Sequence, residues 1–343
     1  MNNKVIKTLV CTRPGILEYS QEDIPVLKKD HAIIKIKRIG ICGTDLHAFE
    51  GTQPFFNYPR ILGHELAGEL VEFDNAPGFK KGEAVTLIPY FNCGNCIACR
   101  NGKPNCCVNL KVCGVHIDGG MKEYLSVPSK ALIHGNELSF ENLALIEPFA
   151  IGAHGVRRAN IKKGEFVLVI GAGPIGMCTM EIVRIAGGKV IAVDINDSRL
   201  IFCQERLKVH HTINAHCTNF LEQLSEITNG ELPAVVIEAS GNREAIVNAF
   251  QYISHGGRFV LIGLQKGDIS FSHPEFHKRE ATLMSSRNAT REDFEYVISL
   301  MKQELINSLS LITHRIFFAQ VKDEFESWLH PDSGVIKAVV EFE

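Results

Sequence analysis

The hydrophobic pattern changes character near residue 151. Before it, short apolar runs such as HAIIKIKRIG, ELAGELVEF and EAVTLIP are separated by glycine- and proline-bearing stretches such as APGFKKGE and NGKPN. That spacing predicts strands joined by turns, hence an irregular β-rich domain with long loops over 1–150. After it, GEFVLVIGAGPIGMCTMEIVRIAGGKVIAVDIN reads as buried strand, glycine turn, helix and second buried strand. PAVVIEASG and GRFVLIGL add further apolar strands. Continuous apolar strands alternating with helices predict an α/β domain over 151–285, a doubly wound parallel sheet covered on both faces. Beyond Met284, REDFEYVISLMKQ predicts one helix and GVIKAVVEFE a final strand.

Length agrees with this division: 343 residues suffice for two domains at ~150 residues each. A 45% hydrophobic, 22% charged composition supplies two cores, and a net charge of −3 argues against a nucleic-acid or anionic-membrane partner. The N-terminal MNNKVIKTLVCTRPG lacks the apolar core of a signal peptide, and no run approaches the ~18 apolar residues of a membrane span. A cytoplasmic location is the expectation. The eleven cysteines are odd in number and carried by a long chain, so reduced thiols are expected. Cys11, Cys178, Cys203 and Cys217 stand among apolar or helical residues and read as small buried hydrophobes.

The run FVLVI leads into Gly171-Ala-Gly-Pro-Ile-Gly176 and then a helical pattern. Gly171 permits the tight turn, Gly173 lets a pyrophosphate approach the backbone, and Gly176 allows close helix–strand packing. Pro174 and Ile175 open a helix whose free N–H groups face phosphate. The second strand ends at Asp194. A carboxylate there accepts hydrogen bonds from the adenosine ribose hydroxyls and repels a 2′-phosphate, favouring NAD over NADP. Arg199, on the next helix, is a candidate to stack near the adenine.

Thiols concentrate in CGNCIACRNGKPNCC, where Cys93, Cys96, Cys99 and Cys107 form C-x2-C-x2-C-x7-C. Four thiolates on a turn-rich loop can enclose one tetrahedral Zn²⁺ with no position left open. An iron–sulfur cluster is the rival reading, to which the last spacing is poorly suited. Cys106 beside Cys107 leaves the fourth ligand open by one position. A second constellation is scattered through GICGTDLH, GHE and IEPF, which carry Cys42, His64, Glu65 and Glu147. Thiolate, imidazole and carboxylate together make a charge-balanced Zn²⁺ site that can keep a position open to water or substrate.

Taken in order, GICGTDLH, GHELAGEL, the cysteine lobe, GGMKEYLSVP, EPFAIGAH and VLVIGAGPIG resemble the zinc-dependent medium-chain alcohol and polyol dehydrogenases along nearly the whole chain. QPFFNYPRILGHE, GVHIDGG, EFHKRE and SSRNAT resemble the branch that oxidises polyols and sugar acids such as L-galactonate. The resemblance implies a GroES-like catalytic domain over 1–150 with a zinc lobe at about 88–110. It further implies a Rossmann NAD-binding domain over 151–285 and a return to the catalytic domain over 286–343. Two zinc ions per chain, NAD(H) and a homo-oligomer, dimer or tetramer, follow from the same resemblance.

Residue by residue, the resemblance implies Cys107 as the fourth structural ligand, and Cys42 and His64 as ligands of the catalytic zinc. Glu65 and Glu147 bind that zinc directly or through its water, and Asp45 orients His64. Many members carry a cysteine where Glu147 stands; glutamate is the polyol variant. Thr44 and His47 form a relay that carries the alcohol proton outward, Lys337 approaches the pyrophosphate, and Ile262 and Leu264 form the wall against the nicotinamide. His47, Gln53, His116 and Arg287 can address several hydroxyls or a carboxylate, with Phe49 as an apolar neighbour. Phe49, Phe55, Phe56 and Phe149 keep open a second substrate class, simple primary alcohols or aldehydes, formaldehyde included. A zinc-free reductase or a non-enzymatic zinc module has no use for both metal clusters.

Overall fold

The computed structural model describes residues 5–54, 56–135 and 137–343. It divides into two compact units, Met1–Glu147 with Thr290–Glu343, and Pro148–Ala289. In the first unit a seven-stranded sheet has the order Leu132–His134, Ala84–Leu87, Glu65–Phe73, His31–Gly40, Lys337–Glu341, Ile312–Phe317. The strand His31–Gly40 is its hub, pairing antiparallel with Glu65–Phe73, Tyr124–Pro128 and Lys337–Glu341. Its Ile34, Ile36 and Ile39 side chains are buried with Leu66 and Leu70 of the neighbouring strand. Because Lys337–Glu341 lies inside this sheet, the last residues of the chain complete a core begun by the first. A separate three-stranded sheet joins Ile16–Asp23, Val5–Arg13 and Arg60–Ile61. A two-stranded ribbon, Tyr90–Phe91 with Lys111–Val112, closes the base of the cysteine lobe.

In the second unit six strands run parallel in the order His211–Asn214, Lys189–Asp194, Phe166–Ile170, Val235–Glu238, Arg258–Leu261, Thr282–Ser285. Numbered along the chain this is 3-2-1-4-5-6, the doubly wound order in which ligands meet the carboxyl ends of strands 1 and 4. The inner strands are buried along nearly their whole length, as a sheet covered on both faces requires. HTIN and TLMS, which form the outer strands, are too short and polar to stand out as apolar runs. The change of texture at 151 falls within one helix, Phe140–Ala159, which accommodates Pro148.

The glycine turn carries a sharp steric demand. A Cβ on Gly176 would lie 1.8 Å from the Gly171 carbonyl oxygen, backbone that cannot step aside. Gly176→Ala is therefore expected to destabilise the protein by at least the ~1–3 kcal/mol of an overpacked core. Thermal unfolding of the full chain measures this, and an unchanged midpoint would refute it.

Candidate active site

The helix Gly43–Glu50 begins immediately after Cys42, and the Asp45 carboxylate accepts a hydrogen bond from the Cys42 N–H at 3.0 Å. Its other oxygen accepts from the Gly63 N–H at 3.0 Å and stands 3.6 Å from His64 Nδ1. One buried carboxylate thus ties the segment carrying Cys42 to the segment carrying His64. Glu65 opens the next strand, opposite Gly40 in the register. Sγ of Cys42, a ring nitrogen of His64 and an oxygen of Glu65 all lie within 4.8 Å of one another.

Two further groups complete the surroundings. The buried Lys337 amine donates to both Glu65 oxygens, at 2.7 and 2.8 Å, and to the Ile41 carbonyl at 2.9 Å. Glu147 accepts a hydrogen bond from the buried Tyr90 hydroxyl. Burial pushes the Glu147 carboxyl up to about 7, against the pull of His64. Burial also opposes charge on His64, but Asp45, Cys42 and Glu147 outweigh it and raise its pKa well above the usual value. The cluster gathers three carboxyl groups, a thiol and an imidazole beside the Lys337 ammonium. So many ionisable groups shut away from water need close partners. The thiol, imidazole and carboxylate donors suit Zn²⁺. The residues present fit the metal.

The cysteine lobe fits one as well. Cys96 and Cys99 sulfurs are 3.5 Å apart, as are those of Cys93 and Cys107. The corners of a tetrahedron with Zn–S near 2.3 Å are about 3.8 Å apart. Backbone N–H groups of Cys99 and Val108 hold the Cys96 thiol down to about 6. Cys107 is buried within the cluster, whereas the turn Pro104–Cys106 leaves Cys106 exposed. All eleven cysteines are free thiols.

In the second unit Gly171 has φ +98°, and a Cβ there would meet the Ser240 nitrogen at 2.8 Å. A Cβ on Gly173 would meet nothing within 4 Å, so the backbone at the start of the helix Pro174–Ile185 faces open space. Asp194 accepts from the Ala172 N–H at 2.6 Å and the Asn196 N–H at 2.9 Å. The acidic strand end is thereby fixed against the glycine turn. Arg199 lies half-buried on the helix that follows Asp194, Ile262 is half-buried, and Leu264 is exposed. An open glycine backbone at a helix N-terminus, with a carboxylate beside it, is a cradle that a dinucleotide fits.

The buried Lys337 amine has in Glu65 the carboxylate partner that a buried ammonium needs. Phe49 is a core residue, its ring 5.3 Å from that of Phe325. Phe56 packs against the same core and Phe149 is fully buried; Phe55 lies outside the described residues. Thr44 is half-buried. His47 is exposed, its Nδ1 near Glu50 and Thr52, while His116 Nδ1 accepts from the Val112 N–H. Arg287 is exposed. Tyr90 was not anticipated; its one signal is a hydroxyl in the otherwise apolar stretch LIPYF.

Comparison with known proteins agrees with this geometry. Residues 28–137 match the family profile "Alcohol dehydrogenase GroES-like domain" and residues 174–303 the profile "Zinc-binding dehydrogenase". The chain belongs to the zinc-binding alcohol dehydrogenase family and is an oxidoreductase. It is 44% identical to L-galactonate-5-dehydrogenase of Escherichia coli K12, over 98% of this chain and 99% of that one. It is 30% identical to a sorbitol dehydrogenase of Halalkalibacterium halodurans, over 90% of this chain and 92% of that one. A crystal structure of a short chain alcohol dehydrogenase from E. coli CFT073 complexed with cofactor NADH superposes with TM-score 0.92 at 30% identity. It covers 98% of this chain and 99% of that one.

Cys107→Ser is expected to lower bound zinc from two ions per chain to one, with Cys106→Ser unchanged. Elemental analysis of the purified variants decides, and equal loss in both would overturn the choice of ligand. Gly173→Ala should leave thermal stability near wild type while dinucleotide affinity falls at least tenfold, as measured by NADH fluorescence titration.

Proposed function

We propose that the protein transfers hydride between NAD and a secondary hydroxyl of a polyol or sugar acid, with L-galactonate-like acids as its substrates. The observation that carries this is the convergence of Cys42, His64 and Glu65, donors that suit a zinc ion, beside Glu147. The relatives support the substrate class: the names of two of them specify a sugar acid and a polyol. Of the phenylalanines that kept simple alcohols in contention, Phe49 and Phe149 are buried and Phe56 packs against a core, while His47 and Arg287 are exposed.

In this reading Cys42, His64 and Glu65 would hold the catalytic zinc, and Glu147, oriented by Tyr90, would serve it directly or through its water. When bound, zinc supplies a Lewis acid that lowers the pKa of a coordinated alcohol, and NAD⁺ supplies the hydride acceptor. The Thr44 hydroxyl takes the proton of the substrate hydroxyl as it gives up its own, and His47 passes the proton on to solvent. Asp194 binds the adenosine ribose and excludes a 2′-phosphate, and Gly173 admits the pyrophosphate. Arg287 faces the carboxylate of an acid substrate. Lys337 holds the Glu65 carboxylate in its orientation through hydrogen bonds to both oxygens.

Eleven free thiols suit a reducing compartment, and among the described residues no helix is long and apolar enough to cross a membrane. We place the enzyme in the cytoplasm as a homo-oligomer acting on a small molecule, with neither nucleic acid nor membrane as partner.

Cys42→Ser and His64→Ala are expected to abolish turnover while NADH binding persists, and loss of both in a folded variant would sink the assigned division of labour. Asp194→Ala should admit NADP; continued exclusion would move that role to another group. Arg287→Ala should raise KM for aldonates at least tenfold more than for neutral polyols. A substrate panel spanning aldonates, hexitols and simple alcohols tests the class itself, and preference for primary alcohols would refute it.

A further inference from the structure

Glu238 ends the strand Val235–Glu238 with its side chain fully buried. Three donors converge on one of its oxygens: the N–H groups of Ser240 at 2.7 Å and Gly241 at 2.9 Å, and the Ser240 hydroxyl. Its main-chain carbonyl accepts from the N–H groups of Ile262 at 2.8 Å and Gly263 at 3.0 Å. The second carboxylate oxygen is buried without a hydrogen-bond partner. It faces Gly263, where a Cβ would come within 2.6 Å of it.

Close approaches surround this carboxylate. A Cβ on Gly241 would lie 2.8 Å from the Leu264 carbonyl oxygen, and one on Gly171 would lie 2.8 Å from the Ser240 nitrogen. Turns at the ends of three adjacent strands, Phe166–Ile170, Val235–Glu238 and Arg258–Leu261, therefore press backbone against backbone. Glu238 is the polar pin among them. Its strand is already hydrogen-bonded on both sides, so the sheet alone has no need of it. Burial pushes its carboxyl up, against the donors from Ser240 and Gly241. Leaving half a carboxylate desolvated is unfavourable unless the geometry it fixes has a use.

We propose that Glu238 is a positioning residue that fixes the Ser240–Gly241 turn against the segment Ile262–Leu264, and so sets the nicotinamide end of the cofactor site. This rests on reading Ile262 and Leu264 as the nicotinamide wall. Removing the acceptor frees Ser240 and Gly241, and the wall loses its backing. The adenosine end rests on Asp194, whose hydrogen bonds to the Ala172 and Asn196 N–H groups do not involve Glu238.

The test compares NADH with ADP-ribose, which lacks the nicotinamide, on the zinc-loaded full chain. Glu238→Ala should weaken NADH roughly ten- to hundredfold, the worth of lost hydrogen bonds to a charged acceptor. ADP-ribose should change less than about threefold, within the same scale. Glu238→Gln, whose carbonyl can accept the same three donors, should restore NADH binding to within several-fold of wild type. Equal loss for both ligands, or a glutamine variant as weak as alanine, would overturn the proposal. Should the alanine variant fail to fold, Ser240→Ala carries the comparison: selective loss of NADH supports the pin, and unchanged NADH refutes it. If the wild-type protein binds NADH no better than ADP-ribose, the reading of the nicotinamide wall fails first, and the proposal with it.

Discussion

The β-rich unit is organised around a single ion pair that cannot be left half-made. Glu65 and Lys337 are both shut away from water, and each ion alone is unfavourable there by several kcal/mol. Satisfying them requires that the last strand of the chain enter the sheet beside His31–Gly40, with Glu65 on the opposite flank. It also requires that Gly40 carry no side chain, because a Cβ there would fall 2.0 Å from a Glu65 oxygen. Positions 40, 65 and 337 therefore specify one another. The same carboxylate faces Cys42 and His64, so the group that locks the fold also serves the metal.

Much of this was legible from local pattern. The runs HAIIKIKRIG and ELAGELVEF are strands over their full length, since alternation and β-branching report directly on a pleated, half-buried surface. The cysteine lobe was legible because its ligands lie within fifteen positions of one another, close enough for spacing alone to encode a tetrahedron. The glycine turn was legible because Gly171 and Gly176 answer steric demands of their own and Gly173 leaves its backbone open.

What pattern did not reveal were partnerships across distance. Lys337 and Glu65 are 272 residues apart, and Tyr90 and Glu147 are 57 apart. No periodicity records such pairs. The available signal was indirect: a lysine inside GVIKAVVEF, or a glutamate at the end of PAVVIE, is a charge in a strand with no water to meet it, and so demands a partner elsewhere. The packing of Phe49 was hidden for the complementary reason. An aromatic ring near a metal ligand in sequence packs wherever the core has room, and the helix Gly43–Glu50 turns this one inward to Phe325.

The insertion of one unit within the other has a consequence for biosynthesis. Pro148–Ala289 is a continuous segment whose parallel sheet holds all its strands, so it can close as soon as Ala289 leaves the ribosome. The unit that begins the chain must wait. Its central strand lacks a neighbour, and Glu65 lacks its counter-ion, until Lys337 has been made. Strands made early are thus finished only after Lys337, and a nascent chain stalled short of that residue would carry a folded nucleotide domain and an open sheet.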